Sequence, residues 1–123
     1  MNLVDSSGWL EYFADAKNAK IFAPIIENVN ELVVSVLNLY EVYKKILSQT
    51  NEGNAKEAVA LMYQAKVIDV NSSISLLAAK LSHDKKIPMA DSIIYATGRI
   101  NNAIVWTQDY DFSNLEGVKL IPK

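Results

Sequence analysis

The sequence contains no cysteine and only one histidine, His83, among its 123 residues. Disulfide bonds, thiolate metal sites and a cysteine nucleophile are therefore excluded, and so is a metal site built from several histidines. Any metal ion bound by this chain would be held by oxygen atoms, which favours hard cations such as Mg²⁺ or Mn²⁺.

Glycine, proline and long apolar stretches are also scarce. There are four glycines and three prolines, whereas half of the residues are hydrophobic; this composition is typical of a compact domain and excludes a disordered tail or a fibrous repeat. The longest stretch without a charged residue, Val70 to Ala79, is too short to cross a bilayer. Asp5 interrupts the N-terminus where a signal peptide would carry basic and then apolar residues, so we expect a cytoplasmic protein.

Neither sign of charge dominates, since the chain has 12 Lys and Arg residues and 14 Asp and Glu residues, which gives a formal net charge of −2. Overall charge therefore does not indicate a nucleic-acid partner, which would need a local basic patch or a bound cation. A chain of this length is typical of a domain with one hydrophobic core, and no linker, repeat or low-complexity segment divides it. We predict a single domain over residues 1–123.

Short β-branched runs alternate along the chain with longer helical stretches, which predicts a three-layer α/β/α sandwich around a central, mainly parallel sheet. The predicted strands are Leu3-Val4, Leu32 to Val34, Val67-Ile68, Ala103 to Trp106 and Val118 to Ile121. The first predicted helix follows a cap at Asp5 to Ser7, and the others are Ala19 to Glu27, Asn38 to Gln49, Glu52 to Lys66, Ser72 or Ser73 to Leu81, and Ala90 to Ile100.

Two aspartates follow predicted strands, where open parallel sheets bind their ligands. Asp5 comes directly after the first strand, and Asp109 follows the strand that ends near Trp106. Each also has an ordinary structural interpretation, since Asp5 is a suitable helix cap and Asp109 a suitable turn residue.

Two further acidic residues lie on predicted helices. Glu41 is opposite the apolar face of its helix, together with Lys44 and Lys45; this face is either solvated, with a Glu41–Lys45 pair, or lines a cleft. Asp91 stands in the first turn after Pro88, where the helix dipole favours an anion. Gly98, farther along that helix, suggests close approach by a neighbouring element or a loosely wound end.

Four segments together resemble PIN-domain ribonucleases, especially the VapC-type toxins of prokaryotic toxin–antitoxin pairs. The resemblance covers residues 3 to 112, and Trp106 and the pair Gly98-Arg99 depart from the family pattern without removing an acidic position. The segments are Leu3-Val4-Asp5-Ser6-Ser7-Gly8-Trp9-Leu10-Glu11-Tyr12-Phe13, Asn38-Leu39-Tyr40-Glu41-Val42, Ile87-Pro88-Met89-Ala90-Asp91-Ser92-Ile93-Ile94-Tyr95-Ala96-Thr97 and Thr107-Gln108-Asp109-Tyr110-Asp111-Phe112.

The resemblance implies a PIN fold and a metal-dependent endoribonuclease site with Mg²⁺ or Mn²⁺ as cofactor. Its catalytic and metal-binding residues would be Asp5, Glu41, Asp91 and Asp109, with Asp111 as an auxiliary ligand. Four carboxylates in one cleft repel one another and raise each other's pKa, and a bound divalent cation would offset this repulsion. Such a cation would activate a water and stabilise charge on the scissile phosphate.

Several polar residues are candidates for substrate binding or for support of the carboxylates. Ser6, Ser7 and Thr107 could hydrogen-bond the carboxylates or a phosphate, with helix capping favoured for the two serines. Lys44, Lys45 and Arg99 are the candidates for the RNA backbone. His83 is interpreted as structural.

The resemblance also implies partners: an RNA substrate, a cognate antitoxin protein and a second copy of the chain in a homodimer. The aromatic residues Trp9, Tyr12 and Phe13 are mostly expected in the core, although Trp9 and Tyr12 could partly line a groove for an amphipathic antitoxin helix.

Three alternatives stay open. The chain could be a PIN nuclease of RNA processing without an antitoxin, or a PIN-like domain that binds without cutting. It could also be a receiver-like phosphoacceptor module with Asp69 as acceptor and Thr107 and Lys119 as switch residues, but Asp5 is followed by two serines instead of the second acid that such a module needs.

Overall fold

The computed structural model describes every residue from Met1 to Lys123 and contains five strands and six helices. The strands are β1 (Asn2–Val4), β2 (Leu32–Ser35), β3 (Lys66–Ile68), β4 (Ile104–Thr107) and β5 (Val118–Leu120). The helices are α1 (Ser6–Phe13), α2 (Ala19–Glu27), α3 (Val36–Gln49), α4 (Glu52–Met62), α5 (Ser72–Lys85) and α6 (Met89–Ile100). Two short 3₁₀ turns cover Val29–Glu31 and Tyr110–Phe112. Every predicted strand and helix is present.

The ends of the helices differ most from the prediction. Helix α4 stops at Met62 instead of Lys66, and α5 continues to Lys85 instead of Leu81. The prediction of Ser72 or Ser73 as the cap of α5 is wrong, because the Asn71 side chain accepts the N–H of Ile74 at 2.9 Å. An asparagine side chain caps as well as a serine and reaches the same backbone groups.

All strands of the sheet are parallel, in the order β3-β2-β1-β4-β5. The chain first builds outward from β1 through β2 to β3, and then returns to place β4 on the other side of β1. In the register of the sheet, Leu3 of β1 lies between Val33 of β2 and Val105 of β4. The gap between β1 and β4 is therefore the topological switch point, beyond whose carboxyl ends ligands bind in sheets of this kind.

The core lies on both faces of the sheet, which confirms the predicted three-layer α/β/α architecture. Successive strand residues point to opposite faces, so Val4 packs with Trp9, Phe22, Val42 and Met62 of α1 to α4. On the other face, two adjoining clusters of buried residues join β1, β2 and β4 to α5 and α6. The first cluster contains Leu3, Val33, Ile94, Tyr95, Ala103, Val105 and Phe112. The second contains Ile74, Ala78 and Ala96.

Gly98 brings helix α6 against the sheet. A Cβ atom at this position would lie 2.7 Å from Cγ2 of Val105 on β4, which is too close for an unstrained contact. The close approach suggested by the sequence is therefore confirmed. No helix of the chain combines the length and the apolarity that a bilayer span requires.

Candidate active site

Asp5 is buried at the switch point, where it leaves β1 and caps α1. Its side chain is 3% exposed, and its Oδ2 atom accepts hydrogen bonds from Oγ1 of Thr107 and Oγ of Ser7, both at 2.9 Å. Burial raises the pKa of Asp5, although these hydrogen bonds oppose the shift. The cap of α1 is Asp5 itself, so the expectation that Ser6 and Ser7 serve as caps is wrong.

Glu41 reaches the same region from α3. Its Oε1 atom accepts a hydrogen bond from Ser6 Oγ at 2.6 Å, and that hydroxyl in turn accepts one from Nδ2 of Asn38 at 3.0 Å. Burial raises the pKa of Glu41, and the negative charges of Asp5 and Asp109 add to the increase. The alternative Glu41–Lys45 ion pair is not among those that form. Glu41 therefore belongs to the cleft and not to a solvated helix face.

Three aspartates form the tightest acidic group of the site. Asp91 lies in the first turn of α6, Asp109 follows β4, and Asp111 lies in the 3₁₀ turn. One carboxylate oxygen from each lies within 4.8 Å of the other two. The pKa of Asp91 is raised to about 7, first by burial and then by the negative charges of Asp109, Asp5, Asp111 and Glu41. The structure thus brings all five predicted acidic residues to one edge of the sheet, with Asp111 in its tightest group.

The backbone that carries Asp109 is held in place by the same hydroxyl that supports Asp5. Oγ1 of Thr107 accepts the N–H of Asp109 at 2.9 Å, and Oδ1 of Asp109 accepts the N–H of Asp111 at 2.9 Å. A chain of short-range contacts therefore links the end of β4 to the 3₁₀ turn and fixes the relative positions of these carboxylates.

No side-chain cation of the protein neutralises this cluster. The ion pairs of the structure involve Glu31, Glu52, Asp84 and Glu116 and leave the five acids of the site unpaired. Like charges at this proximity are costly without a counterion. Carboxylate oxygens are the ligands that Mg²⁺ and Mn²⁺ prefer. The residues present therefore fit a divalent cation.

The predicted substrate-binding residues occupy three different environments in the structure. Ser6 and Thr107 are 7% and 0% exposed. Their hydroxyls contact carboxylates, which was one of the two predicted alternatives, the other being contact with a phosphate. Lys44 and Lys45 are exposed on α3. Arg99, by contrast, is not at this site: it lies eight residues, about 12 Å, along α6 from Asp91, and its guanidinium is 3.6 Å from Glu116.

Asn38 is a supporting residue that sequence analysis missed. It is fully buried, and its Oδ1 accepts the N–H of Ser35 at 3.1 Å while its Nδ2 donates to Ser6. The sequence signal was a serine followed three residues later by a polar side chain at the start of α3, which is the pattern of a capping box.

A family model described as the PIN domain matches residues 3–118. The chain belongs to the PIN-domain family. No curated protein sequence matches this PIN domain.

Solved structures share the fold of this PIN domain at low sequence identity. A toxin–antitoxin complex from Klebsiella pneumoniae matches with a TM-score of 0.80 and 21% identity over 97% of this chain and 96% of that one. VapC20 of Mycobacterium tuberculosis, described as a toxin that cleaves the sarcin–ricin loop, matches with a TM-score of 0.77 and 18% identity over 99% of this chain and all of that one. VapBC2 of Rickettsia felis, bound to a fragment of promoter DNA, matches with a TM-score of 0.76 and 12% identity over 98% and 97% of the two chains.

The strand order argues against the receiver-like alternative. Receiver-type sheets have the order 2-1-3-4-5, whereas this PIN domain has β3-β2-β1-β4-β5. Asp69 follows β3, an edge strand, is exposed, and has no part in the acidic group. A phosphoacceptor aspartate would instead need to lie in the metal site.

Proposed function

We propose that this PIN domain is a metal-dependent endoribonuclease that acts as the toxin of a toxin–antitoxin pair in the cytoplasm. The observation that carries the proposal is the cluster of Asp5, Glu41, Asp91, Asp109 and Asp111, which lies at the switch point of the sheet without a compensating side-chain cation. Family membership supports a nuclease, and the toxins among the solved structures of the same fold support the biological role.

Asp91, Asp109 and Asp111 would hold the divalent cation, and Asp5 and Glu41 would act as further ligands, directly or through water. When bound, such a cation lowers the pKa of a water molecule and stabilises negative charge on the scissile phosphate. Thr107 and Ser7 orient the Asp5 carboxylate, and Ser6 orients that of Glu41. These hydroxyls limit the rotation of the acids, so that the oxygens are already placed when the cation arrives.

An antitoxin would have an apolar groove available between α1, α3 and α4. The groove has a volume of about 410 Å³, and its apolar lining includes Leu10, Phe13, Ile46 and Leu61. Trp9, which was expected mostly in the core with a partial contribution to such a groove as the alternative, is 1% exposed and packs in the core. The apolar face of an amphipathic antitoxin helix fits a groove of this kind. Co-purification with a small protein encoded next door tests this partner, and light scattering tests the homodimer.

The decisive experiment compares RNA cleavage by the wild type, Asp91→Asn and Asp69→Asn. We expect cleavage with Mg²⁺ or Mn²⁺, loss of cleavage with chelator or with Asp91→Asn, and full activity of Asp69→Asn, whose side chain lies outside the cluster. DNA of the same sequence serves as the second substrate and tests the preference for RNA. Cleavage that survives both the chelator and Asp91→Asn would reject the metal mechanism, and absence of cleavage of any RNA would reject the nuclease.

A further inference from the structure

A cleft lined by three lysines adjoins the carboxylate cluster. It lies between α1, α3 and the segment after β5, and has a volume of about 510 Å³. Lys17, Lys45 and Lys123 line it, together with Ser7 and Gln108. Only Lys45 was a candidate from the sequence, because Lys17 and Lys123 are far from it along the chain. We call this feature the lysine cleft.

Ser7 connects the lysine cleft to the acidic site, although none of the five acidic residues of the site lines the cleft. Ser7, which lines the cleft, donates its hydroxyl hydrogen to Asp5 at 2.9 Å and accepts the N–H of Gln108 at 3.1 Å. Lys45 lies one helical turn beyond Glu41 on α3, a separation that places the two side chains on the same face of the helix. The cleft therefore lies beside Asp5 and Glu41, on one side of the carboxylate cluster.

The charge of the lysine cleft is opposite to that of the rest of the site. None of its three lysines takes part in an ion pair. The lining contains one acid, Glu11, and its Oε2 atom already accepts the N–H of Asn18 at 2.8 Å. The three lysines outnumber this single acidic side chain, so the cleft carries an excess of positive charge in a chain whose net charge is −2.

Buried polar contacts hold the walls of the cleft together. Asn18 is 5% exposed, and its Nδ2 donates to Oε1 of Gln108 at 2.6 Å and to the carbonyl of Pro122 at 2.9 Å. The N–H of Ile121 donates to the carbonyl of Thr107 at 2.8 Å. These bonds fasten the segment after β5 beside the end of β4, and so bring Lys123 to the same cleft as Lys17.

We infer that the lysine cleft binds the phosphate backbone of single-stranded RNA on one side of the scissile bond. The inference rests on the proposed function and adds the path that the substrate takes. An acidic cluster repels a polyanion, so the affinity for RNA must come from cations beside it, and unpaired lysines supply this attraction without regard to base sequence. The apolar groove proposed for the antitoxin shares Leu10, Ala14 and Gln49 with the lysine cleft. An acidic protein segment is therefore the competing occupant, and the test below includes it as an outcome.

The test measures binding of a short fluorescent oligouridine as salt is varied, with Mg²⁺ present and in an Asp91→Asn background that leaves the RNA uncut. The cleft variant is Lys17→Ala/Lys45→Ala. The matched control is Lys66→Ala/Lys119→Ala, which removes the same charge from exposed positions on β3 and β5. A third variant, Lys17→Arg/Lys45→Arg, keeps the charge.

We expect the cleft variant to bind about tenfold more weakly, and its slope of log affinity against log salt to fall by about 1.4, since each single-strand phosphate contact contributes about 0.7. The control and the arginine variant should retain the wild-type slope, and all variants should keep the melting temperature because the lysines are exposed. An unchanged slope in the cleft variant, with RNA cleavage by the wild type intact, would overturn this inference alone. Loss of binding to an acidic partner protein with unchanged RNA affinity would assign the cleft to a protein and overturn it as well. Failure of the wild type to bind or cut any RNA would instead reject the proposed function.

Discussion

Thr107 and Asp5 are joined by a buried hydrogen bond of 2.9 Å across the switch point of the sheet, from the hydroxyl at the end of β4 to the carboxylate at the end of β1. The same hydroxyl oxygen accepts the N–H of Asp109. One side chain therefore supports two acidic residues from adjacent parallel strands, although 102 positions separate Thr107 from Asp5.

Replacing this hydroxyl should damage the site while keeping the fold. We expect Thr107→Val to destabilise the protein by about 1–3 kcal/mol, because it leaves the Asp109 N–H unpaired and deprives Asp5 of a donor. Metal affinity should fall by about 10–100-fold, as is common when a ligand loses its hydrogen-bond partner. Calorimetric titration with Mn²⁺ measures this affinity. The matched control is Thr97→Val, which removes an equally buried hydroxyl that contacts only the carbonyl of Ile93; equal metal affinities in the two variants would contradict the role given to Thr107.

The stability of the metal-free protein should fall as pH rises from about 4 to 7. The pKa of Asp91 is raised from 3.8 to about 7 in the folded protein, so in this range the folded state binds the proton more tightly than the unfolded state. Raised pKa values of Asp5 and Glu41 act in the same direction. Because Asp91 is only half-buried, solvent screening limits its contribution to about 1–2 kcal/mol. Urea unfolding in chelator at several pH values measures it. Asp91→Asn should flatten the profile, and a wild-type profile that rises with pH would show that the repulsion is absent.

Asp111 should be a metal ligand in spite of its exposure. Its carboxylate belongs to the tight group with Asp91 and Asp109, so Asp111→Asn should weaken Mn²⁺ binding by about tenfold. In chelator the same variant should be at least as stable as the wild type, because it removes a charge that raises the pKa of Asp91. Thermal melts with and without Mn²⁺ report both effects. Asp69→Asn is the control, and an Asp111→Asn variant with the same metal-induced shift as this control would remove Asp111 from the site.

The contact between α6 and β4 should not tolerate a methyl group. Gly98→Ala would place its Cβ 2.7 Å from Val105 Cγ2, and we expect a loss of about 1–3 kcal/mol from overpacking despite the better helix propensity of alanine. In Gly53→Ala the nearest atom to the new Cβ would be Asn51 Oδ1 at 3.3 Å, and this exposed position should be neutral or slightly stabilised. Urea unfolding compares the two variants, and equal stabilities would contradict the tight packing.

The helices and strands were predictable because their signals are local. The β-branched runs at Leu32 to Val34 and the helical period after Asn38 reflect side-chain preferences over a few residues. The ends of α4 and α5 were less predictable, since a helix end depends on which cap side chain and which tertiary contacts prevail. At α5 the cap was Asn71 and not the serine beside it.

Which of the acidic residues lie closest to one another was not predictable. Asp111 ranked below Asp109 in the sequence, because the family pattern carries the latter, and only the 3₁₀ turn after Asp109 brings both carboxylates next to Asp91. Arg99 lies on the same face of α6 as Asp91, but the two residues are eight positions apart. Arg99 is therefore about 12 Å farther along the helix, beyond the reach of the site.

The sequence by itself determined the chemistry available to this protein: oxygen ligands without thiolates, a sheet of short buried strands, and acidic residues at the ends of those strands. This information needs no tertiary contact, because composition is independent of the order of the residues and periodicity depends on neighbouring residues only. The tertiary structure alone decided which charges meet. The connections between the parallel strands set the strand order, which places Thr107 beside Asp5. The packing of the same elements brings Lys17, Lys45 and Lys123 into one cleft. Contacts between such distant positions depend on the packing of whole elements, which no local pattern records.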